Sequence, residues 1–160
     1  MQIKVTNRET AEVIKFDIPY IVVSIYSTGS EPANIPNHPN CLDVLSIQFC
    51  DLAEDIFTEE LTYKAITEQD ANRIWTFVDY YLAKDKSPIV EEDLVTNIPT
   101  TELILIHCDA GVCRSPAVAA AISRIYTGKD KEWFQKPYLP NMKVYNTMLK
   151  VKGLSNDYTE

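Results

Sequence analysis

The chain has 160 residues and a formal net charge of −8, and its 46% hydrophobic content indicates a folded globule. This length suits one domain with a sizeable core, so we expect residues 1–160 to form a single domain and a monomer. The acidic balance argues against nucleic acid or an anionic membrane as a partner, because both require basic surfaces.

Three strands, one loop and one helix are predicted before residue 85. A segment rich in proline separates the second strand from the third. The helix is predicted because Thr67 and Asp70 have the spacing of a capping box and apolar residues recur at helical spacing from Ala71 to Leu82. The strands fall at 11–16, 19–26 and 43–49, the loop at 27–42 and the helix at 67–84.

The C-terminal half is predicted to hold one strand and two helices. Residues 85–100 carry two prolines and are expected to cross the surface, with a helical turn near 90–95. The continuous apolar run at 103–106 is typical of a central strand covered on both faces. One helix is predicted from Ser115-Pro116 to Gly128 and a last one over about 141–152. This alternation predicts an α/β fold with a central sheet.

No cofactor or metal site is expected from the composition. The four cysteines, at positions 41, 50, 108 and 113, contain no Cys-x-x-Cys pair, and the chain has two histidines. No apolar run approaches the roughly 20 residues of a membrane span, and the N-terminus lacks the order of a signal peptide. We therefore expect a cytoplasmic protein whose cysteines are thiols.

One segment between the predicted strand and helix carries the chemistry. Its sequence is His107-Cys108-Asp109-Ala110-Gly111-Val112-Cys113-Arg114-Ser115, and we call residues 108–114 the 108–114 loop. A loop that curls back to a helix N-terminus can point backbone N–H groups at an anion. Gly111 supplies the backbone freedom for the curl, and the guanidinium of Arg114 matches two phosphate oxygens. The loop residues 109–114 are therefore predicted to bind phosphate.

The remaining groups of the segment have expected roles in nucleophilic chemistry. The positive field of the loop favours the thiolate of Cys108, which is the nucleophilic form of cysteine. His107 is expected to support the loop, and Ser115 to donate a hydrogen bond to the sulfur. Six residue types are fixed in His-Cys-x-Ala-Gly-x-x-Arg-Ser, so a chance match is on the order of 10⁻⁸ per position. The alternative is a buried cysteine and a surface arginine that flank a turn.

His107 to Ser115, with Pro116 and the Ala-rich helix beyond, resembles the signature of cysteine-based protein tyrosine phosphatases. The His-Cys-x-Ala-Gly beginning is most similar to the dual-specificity and bacterial dual-specificity-like branch. The resemblance is specific over 102–126 and looser over 19–56. It implies one α/β domain with a mostly parallel sheet and metal-free hydrolysis through a phosphocysteine at Cys108.

The resemblance also implies an aspartic acid that protonates the leaving group from a loop after a sheet strand. Asp51 fits that position and Asp55 is the alternative, whereas a solvated charge or a turn cap is the non-catalytic interpretation. Asp109 is expected to face solvent and either to disfavour acidic substrates or to have no role. The run from Cys113 to Pro116 is similar to low-molecular-weight tyrosine phosphatases, but their fold is rejected because the loop lies late in the chain and no Asp-Pro follows.

The expected substrate is protein or peptide phosphotyrosine, with phosphoserine and phosphothreonine as further substrates. Two alternatives stay open: a non-catalytic phosphate-binding pseudophosphatase, and a phosphatase of phosphoinositide or RNA 5′-phosphate. A phosphatase of phosphoinositide or RNA 5′-phosphate would require several basic residues around the pocket, whereas the loop itself contains one, Arg114. Oxidised Cys108 is predicted to pair with Cys113, with Cys50 as the competing partner and no redox role as the alternative.

Overall fold

The computed structural model describes residues 1–83, 89–91 and 94–154 and contains eight strands within them. The strands are β1 (Gln2–Thr6), β2 (Tyr20–Tyr26), β3 (Cys41–Gln48), β4 (Ile56–Phe57), β5 (Thr62–Tyr63), β6 (Ile89–Glu91), β7 (Leu94–Thr96) and β8 (Leu103–His107). The helices are α1 (Arg8–Ala11), α2 (Glu68–Leu82), α3 (Arg114–Thr127) and α4 (Met142–Lys150), with a 3₁₀ helix at Lys131–Phe134.

A four-stranded parallel sheet in the order β1-β8-β2-β3 forms the centre of the molecule. All five residues of β8 are buried because β8 has a neighbour on each side and is covered on both faces. Two small antiparallel pairs, β4-β5 and β6-β7, lie apart from this sheet. The predicted α/β fold with a central parallel sheet is confirmed.

Side chains of the central strands alternate between two cores. On one face Ile21, Ile104 and Ile106 pack with helices α2, α3 and α4 in the larger core. On the other face Tyr20 and Leu105 pack against the connecting segments around Phe16 and Ile35. Helix α3 contacts β1, β8 and α4, and its residues 114–123 are all buried. The central strand and the helix that follows it therefore form a rigid base for the loop between them.

Helix boundaries follow the signals in the sequence. The Thr67 hydroxyl accepts from the Asp70 N–H at 3.1 Å, and the Asp70 carboxylate accepts from the Thr67 N–H at 3.0 Å, which completes the predicted capping box. Helix α3 ends at Gly128, whose φ of +76° is left-handed. Asn141 caps α4 by accepting from the Val144 N–H at 3.0 Å. No helix in the described part of the chain is long and apolar enough to cross a membrane.

Two local predictions are wrong. Residues 11–16 do not form a strand: Ala11 ends the short helix α1, and the residues after it run over one face of the sheet. Their side chains alternate in burial because Ile14 and Phe16 pack on that face, which imitates strand periodicity. The predicted helical turn near 90–95 is instead the antiparallel pair β6-β7. The loop predicted at 27–42 ends earlier, because β3 begins at Cys41. Residue 84, the last of the helix predicted at 67–84, lies outside the described residues.

Candidate active site

The 108–114 loop lies between the carboxyl end of β8 and the N-terminus of α3. In open parallel sheets, ligands bind beyond the carboxyl ends of the strands, and β8 is an inner strand of this sheet. Cys113 is the N-cap residue of α3, and its side chain makes no capping hydrogen bond. The first N–H groups of a fourteen-residue helix therefore point into the loop, where they can bind an anion.

One side of the loop rests on the end of β1. Gly111 has a φ of +75°, and a Cβ at this position would lie 2.7 Å from the carbonyl carbon of Thr6 and 3.0 Å from the Asn7 nitrogen. The Arg8 N–H donates to the Asp109 carbonyl at 3.1 Å. Glycine is therefore required at position 111 both by the backbone conformation and by the close approach of β1.

The other side of the loop is held by the segment that leads into α4. The Leu139 N–H donates to the Val112 carbonyl at 2.8 Å, and the Asn141 N–H donates to the Cys113 carbonyl at 3.0 Å. Hydrogen bonds from both flanks thus fix the loop backbone through three of its carbonyls, those of Asp109, Val112 and Cys113.

Cys108 is buried at the base of the loop, and its sulfur has two polar neighbours. The Gly111 N–H donates to Sγ at 3.3 Å, and the Ser115 hydroxyl lies 3.1 Å from Sγ. Both groups can donate to a thiolate, and a hydroxyl at this distance can follow the sulfur as its charge changes. The structure therefore brings together the predicted nucleophile and its predicted hydrogen-bond donor.

His107 connects the loop to β2 through its imidazole ring. Nδ1 lies 3.1 Å from the Cys108 carbonyl, which can only accept, so Nδ1 carries the proton. Nε2 then accepts from the Ser24 hydroxyl at 2.6 Å. Burial lowers the pKa of His107, in keeping with a neutral ring whose two nitrogens have opposite roles.

Arg114 is buried, and its guanidinium contacts three groups. Nη1 donates to the Ser27 hydroxyl at 2.9 Å and to the Phe49 carbonyl at 2.8 Å, while Nη2 donates to the Asp109 carboxylate at 3.0 Å. Ser27 and Phe49 were missed by sequence reasoning. Each directly follows a strand, β2 or β3, and the carboxyl ends of parallel strands meet at one sheet edge, which is the signal that could have identified them.

The sequence suggested that Asp109 faces solvent, and the structure adds contacts with two side chains of the site. Its side chain is 49% exposed, yet it forms an ion pair with Arg114 and accepts from the Ser27 hydroxyl at 3.0 Å. Burial alone would raise the pKa of Asp109. The hydrogen bonds from Arg114 and Ser27 and the charges of Arg114 and Arg8 outweigh burial, so its pKa is below the ordinary value.

The two candidate acids occupy different surroundings. Asp51 is exposed and accepts from the Asn141 side-chain amide at 2.7 Å. Burial raises the pKa of Cys113, and the charge of Asp51 adds to this rise. Asp55 instead accepts from the Ala65 N–H at 2.9 Å, ahead of α2. Asp51 is therefore linked to the 108–114 loop through Asn141, whereas the hydrogen bond of Asp55 joins it to the segment before α2.

The four cysteines are free thiols, and they differ in their surroundings. Cys113 is half-buried at the start of α3, and the charge of Cys108 is a further cause of its raised pKa. Cys50 is buried and accepts from the Thr28 N–H at 3.3 Å. Within the described ranges, no group of three or more His, Cys, Asp or Glu side chains is arranged to hold a metal ion.

Solved structures of tyrosine-phosphatase-like proteins share this fold. A human tyrosine phosphatase-like serine/threonine/tyrosine-interacting protein matches with a TM-score of 0.57 and 16% identity, over 94% of this chain and 91% of that chain. Tk-PTP in the active form matches with a TM-score of 0.51 and 15% identity, over 96% and 92%. No protein-family model and no curated relative matches the chain. The chain thus has the fold of small tyrosine-phosphatase-like proteins.

Proposed function

We propose that this chain is a cytoplasmic, cysteine-dependent phosphomonoester hydrolase of the dual-specificity-like type. Its substrate is phosphotyrosine in a protein or peptide, with phosphoserine and phosphothreonine as further substrates. One observation carries the proposal: Cys108, with Ser115 3.1 Å from its sulfur, lies in a loop that also holds a buried arginine and a helix N-terminus. A nucleophile, an anion site and a donor to the leaving sulfur are thus combined within eight residues.

In the first step the Cys108 thiolate attacks phosphorus, and an S–P bond forms as the P–O bond to the substrate breaks. Asp51 gives its proton to the departing oxygen. The loop N–H groups and Arg114 bind the equatorial oxygens, where charge develops in the transition state.

In the second step water attacks phosphorus and transfers a proton to the Asp51 carboxylate. The S–P bond breaks and its electron pair returns to the sulfur of Cys108. Ser115 donates to the sulfur as it leaves, which is consistent with the 3.1 Å separation of Oγ and Sγ. Inorganic phosphate and the starting protonation states of both residues result.

Asp51 is preferred over Asp55 because of its neighbours. The Asn141 amide holds the Asp51 carboxylate, and the Asn141 backbone N–H holds the Cys113 carbonyl of the loop at 3.0 Å. One residue therefore fixes the acid and the loop relative to each other. Asp55 instead accepts from the Ala65 N–H ahead of α2, and within the described residues no hydrogen bond joins its carboxylate to the 108–114 loop or to Asn141.

A small aryl phosphate tests the proposal, because its hydrolysis needs the loop but no protein substrate. We expect turnover by the wild type and none by Cys108→Ser, since a serine hydroxyl is a poor nucleophile at neutral pH. Arg114→Lys should lower kcat by about 10²–10³-fold, because an ammonium cannot form the two-pronged contact. Hydrolysis by Cys108→Ser at the wild-type rate would contradict the proposed nucleophile.

A binding-only module is the second candidate, because one structural neighbour is described as a phosphatase-like interacting protein. The presence of Cys108, Arg114 and Ser115 favours activity. Phosphate binding by a folded wild type that hydrolyses neither the aryl phosphate nor a phosphopeptide would support the binding module instead.

A phosphoinositide or RNA 5′-phosphate is less favoured as the substrate. Such a substrate would require several basic residues around the pocket. Arg8 is near enough to lower the pKa of Asp109, but its guanidinium donates to the Glu31 carbonyl at 2.7 Å and lies 3.9 Å from the Glu12 carboxylate. A panel of phosphopeptides and phospholipids distinguishes these substrates, and we expect turnover of the phosphotyrosine peptides.

A further inference from the structure

Ser27, Asp109 and Arg114 form a closed ring of hydrogen bonds beside the 108–114 loop. Nη1 of Arg114 donates to the Ser27 hydroxyl at 2.9 Å, and this hydroxyl donates to Asp109 Oδ2 at 3.0 Å. Nη2 donates to the same carboxylate oxygen at 3.0 Å. Nη1 and Nη2 are bonded to the same carbon, and the edge of the guanidinium between them is its terminal edge. Because Ser27 and Asp109 each contact one of these nitrogens and also contact each other, both must lie on this terminal edge.

The hydrogens of Arg114 can then be assigned one by one. A guanidinium has five N–H groups, two on each terminal nitrogen and one on Nε. Both hydrogens of Nη1 are used, by Ser27 and by the Phe49 carbonyl at 2.8 Å, and one hydrogen of Nη2 is used by Asp109. Within the described part of the chain, no hydrogen bond involves the Nε–H or the second Nη2–H. These two form the side edge, which matches two oxygens of a phosphate.

We propose that Asp109 is a positioning residue, whose carboxylate, together with Ser27 and the Phe49 carbonyl, holds Arg114 so that its side edge faces the phosphoryl group. This inference rests on the proposed function of the loop. Asp109 contacts Arg114 through its side chain and acts on the phosphoryl group through that contact. An arginine that is 5% exposed requires such partners, because a buried charge without them is strongly destabilising.

The carboxylate also has an opposing effect on ligand binding. Its negative charge repels a phosphate dianion, so removing the charge alone should strengthen phosphate binding. Asparagine and alanine at position 109 both remove the charge, but only asparagine keeps an oxygen that can accept from Ser27 and Arg114. The difference in phosphate affinity between Asp109→Asn and Asp109→Ala therefore measures how much the side chain at position 109 positions Arg114, without the contribution of its charge.

The experiment measures the affinity of the full chain for inorganic phosphate by calorimetry, and kcat and KM with an aryl phosphate. We expect Asp109→Ala to bind phosphate about tenfold more weakly than Asp109→Asn, because a hydrogen bond to a charged group is lost. Its kcat should be about 10- to 100-fold lower than that of Asp109→Asn, since Arg114 is misplaced. Asp17→Ala, which removes an exposed carboxylate elsewhere, is the charge control and should leave both unchanged.

A second comparison separates positioning from a general structural role. In an Arg114→Lys background, Asp109→Ala and Asp109→Asn should bind phosphate equally within about twofold, because no guanidinium is left to position. Ser27→Ala opens the same ring and keeps the Asp109 charge, so it should weaken phosphate binding even if Asp109→Ala does not fold. Equal phosphate affinity of folded Asp109→Ala and Asp109→Asn, or no effect of Ser27→Ala, would overturn the positioning role.

The outcome for the wild type separates this inference from the proposed function. If the wild type binds phosphate but does not hydrolyse the aryl phosphate, only the proposed catalysis is contradicted. The phosphate affinities of Asp109→Asn and Asp109→Ala would then still test whether Asp109 positions Arg114. A folded wild type that neither binds phosphate nor hydrolyses the aryl phosphate would contradict both.

Discussion

Replacing Gly111 by alanine tests whether the end of β1 fixes the shape of the 108–114 loop. Gly111 has a φ of +75°, and the added Cβ would lie 2.7 Å from the Thr6 carbonyl carbon, 2.8 Å from its oxygen and 3.0 Å from the Asn7 nitrogen. All three are backbone atoms and cannot rotate away. Relief of the clash therefore requires the loop or the end of β1 to move.

The structure allows the cost to be divided into two parts. A left-handed backbone costs alanine about 1–2 kcal/mol, and forced overpacking adds about 1–3 kcal/mol. We expect Gly111→Ala to lower the free energy of unfolding by about 2–5 kcal/mol, the sum of these terms. Gly128 has a φ of +76°, and a Cβ there meets no atom within 4 Å. Gly128→Ala should therefore cost about 1–2 kcal/mol and serves as the matched control.

Urea unfolding measures the stability of both variants, and aryl phosphate hydrolysis measures the effect on the loop. The Gly111 N–H donates to Cys108 Sγ at 3.3 Å, so a displaced loop alters the surroundings of the proposed nucleophile. A shift of about 1 Å should lower kcat by about 10²-fold, while Gly128→Ala keeps wild-type activity. The reasoning is refuted if Gly111→Ala is as stable and as active as Gly128→Ala.

Three further predictions concern the acid, the histidine and the thiols. Asp51→Asn should lower turnover about 10²–10⁴-fold for poor leaving groups and least for activated aryl esters, whereas Asp55→Asn should not; the reverse would reassign the acid. Because burial lowers the pKa of His107, the unfolded chain takes up a proton below about pH 6.5 that the folded chain does not. Stability should therefore fall as the pH drops below about 6.5, and His107→Gln should remove part of that dependence in urea unfolding; an unchanged profile would contradict it. If the protein hydrolyses aryl phosphates as proposed, peroxide should abolish this activity reversibly with a Cys108–Cys113 disulfide in peptide maps, and irreversible loss with Cys113 free would exclude that pairing.

The loop and its setting could be predicted because their signals are local. Four consecutive apolar residues before His107 are typical of an inner strand, and the structure buries this strand on both faces. Gly128 ends α3 through a left-handed conformation, and Thr67 begins α2 through a capping box. Each of these depends on a few neighbouring residues, so the sequence is sufficient to identify them.

The sequence signals only that Ser27 and Phe49 follow strands and so lie at the sheet edge, whereas their contact with Arg114 depends on the strand order, which local patterns do not contain. Ser27 and Phe49 are distant from Arg114 in the chain, and they meet it because β2 lies beside β8 in the sheet and β3 lies beside β2. The prediction of a strand at 11–16 was wrong for a related reason. Alternating burial arises there from packing over the sheet face near Phe16, and periodicity alone cannot distinguish this from a hydrogen-bonded strand.

A covalent phosphocysteine at Cys108 is the most direct consequence of the proposed chemistry. Wild-type protein mixed with an aryl phosphate and denatured within milliseconds should carry one phosphoryl group on the peptide that contains Cys108, as read by mass spectrometry. Cys108→Ser, treated in the same way, should carry none. Rapid turnover by the wild type with no phosphoryl group on Cys108, and with unchanged hydrolysis in Cys108→Ser, would contradict the account.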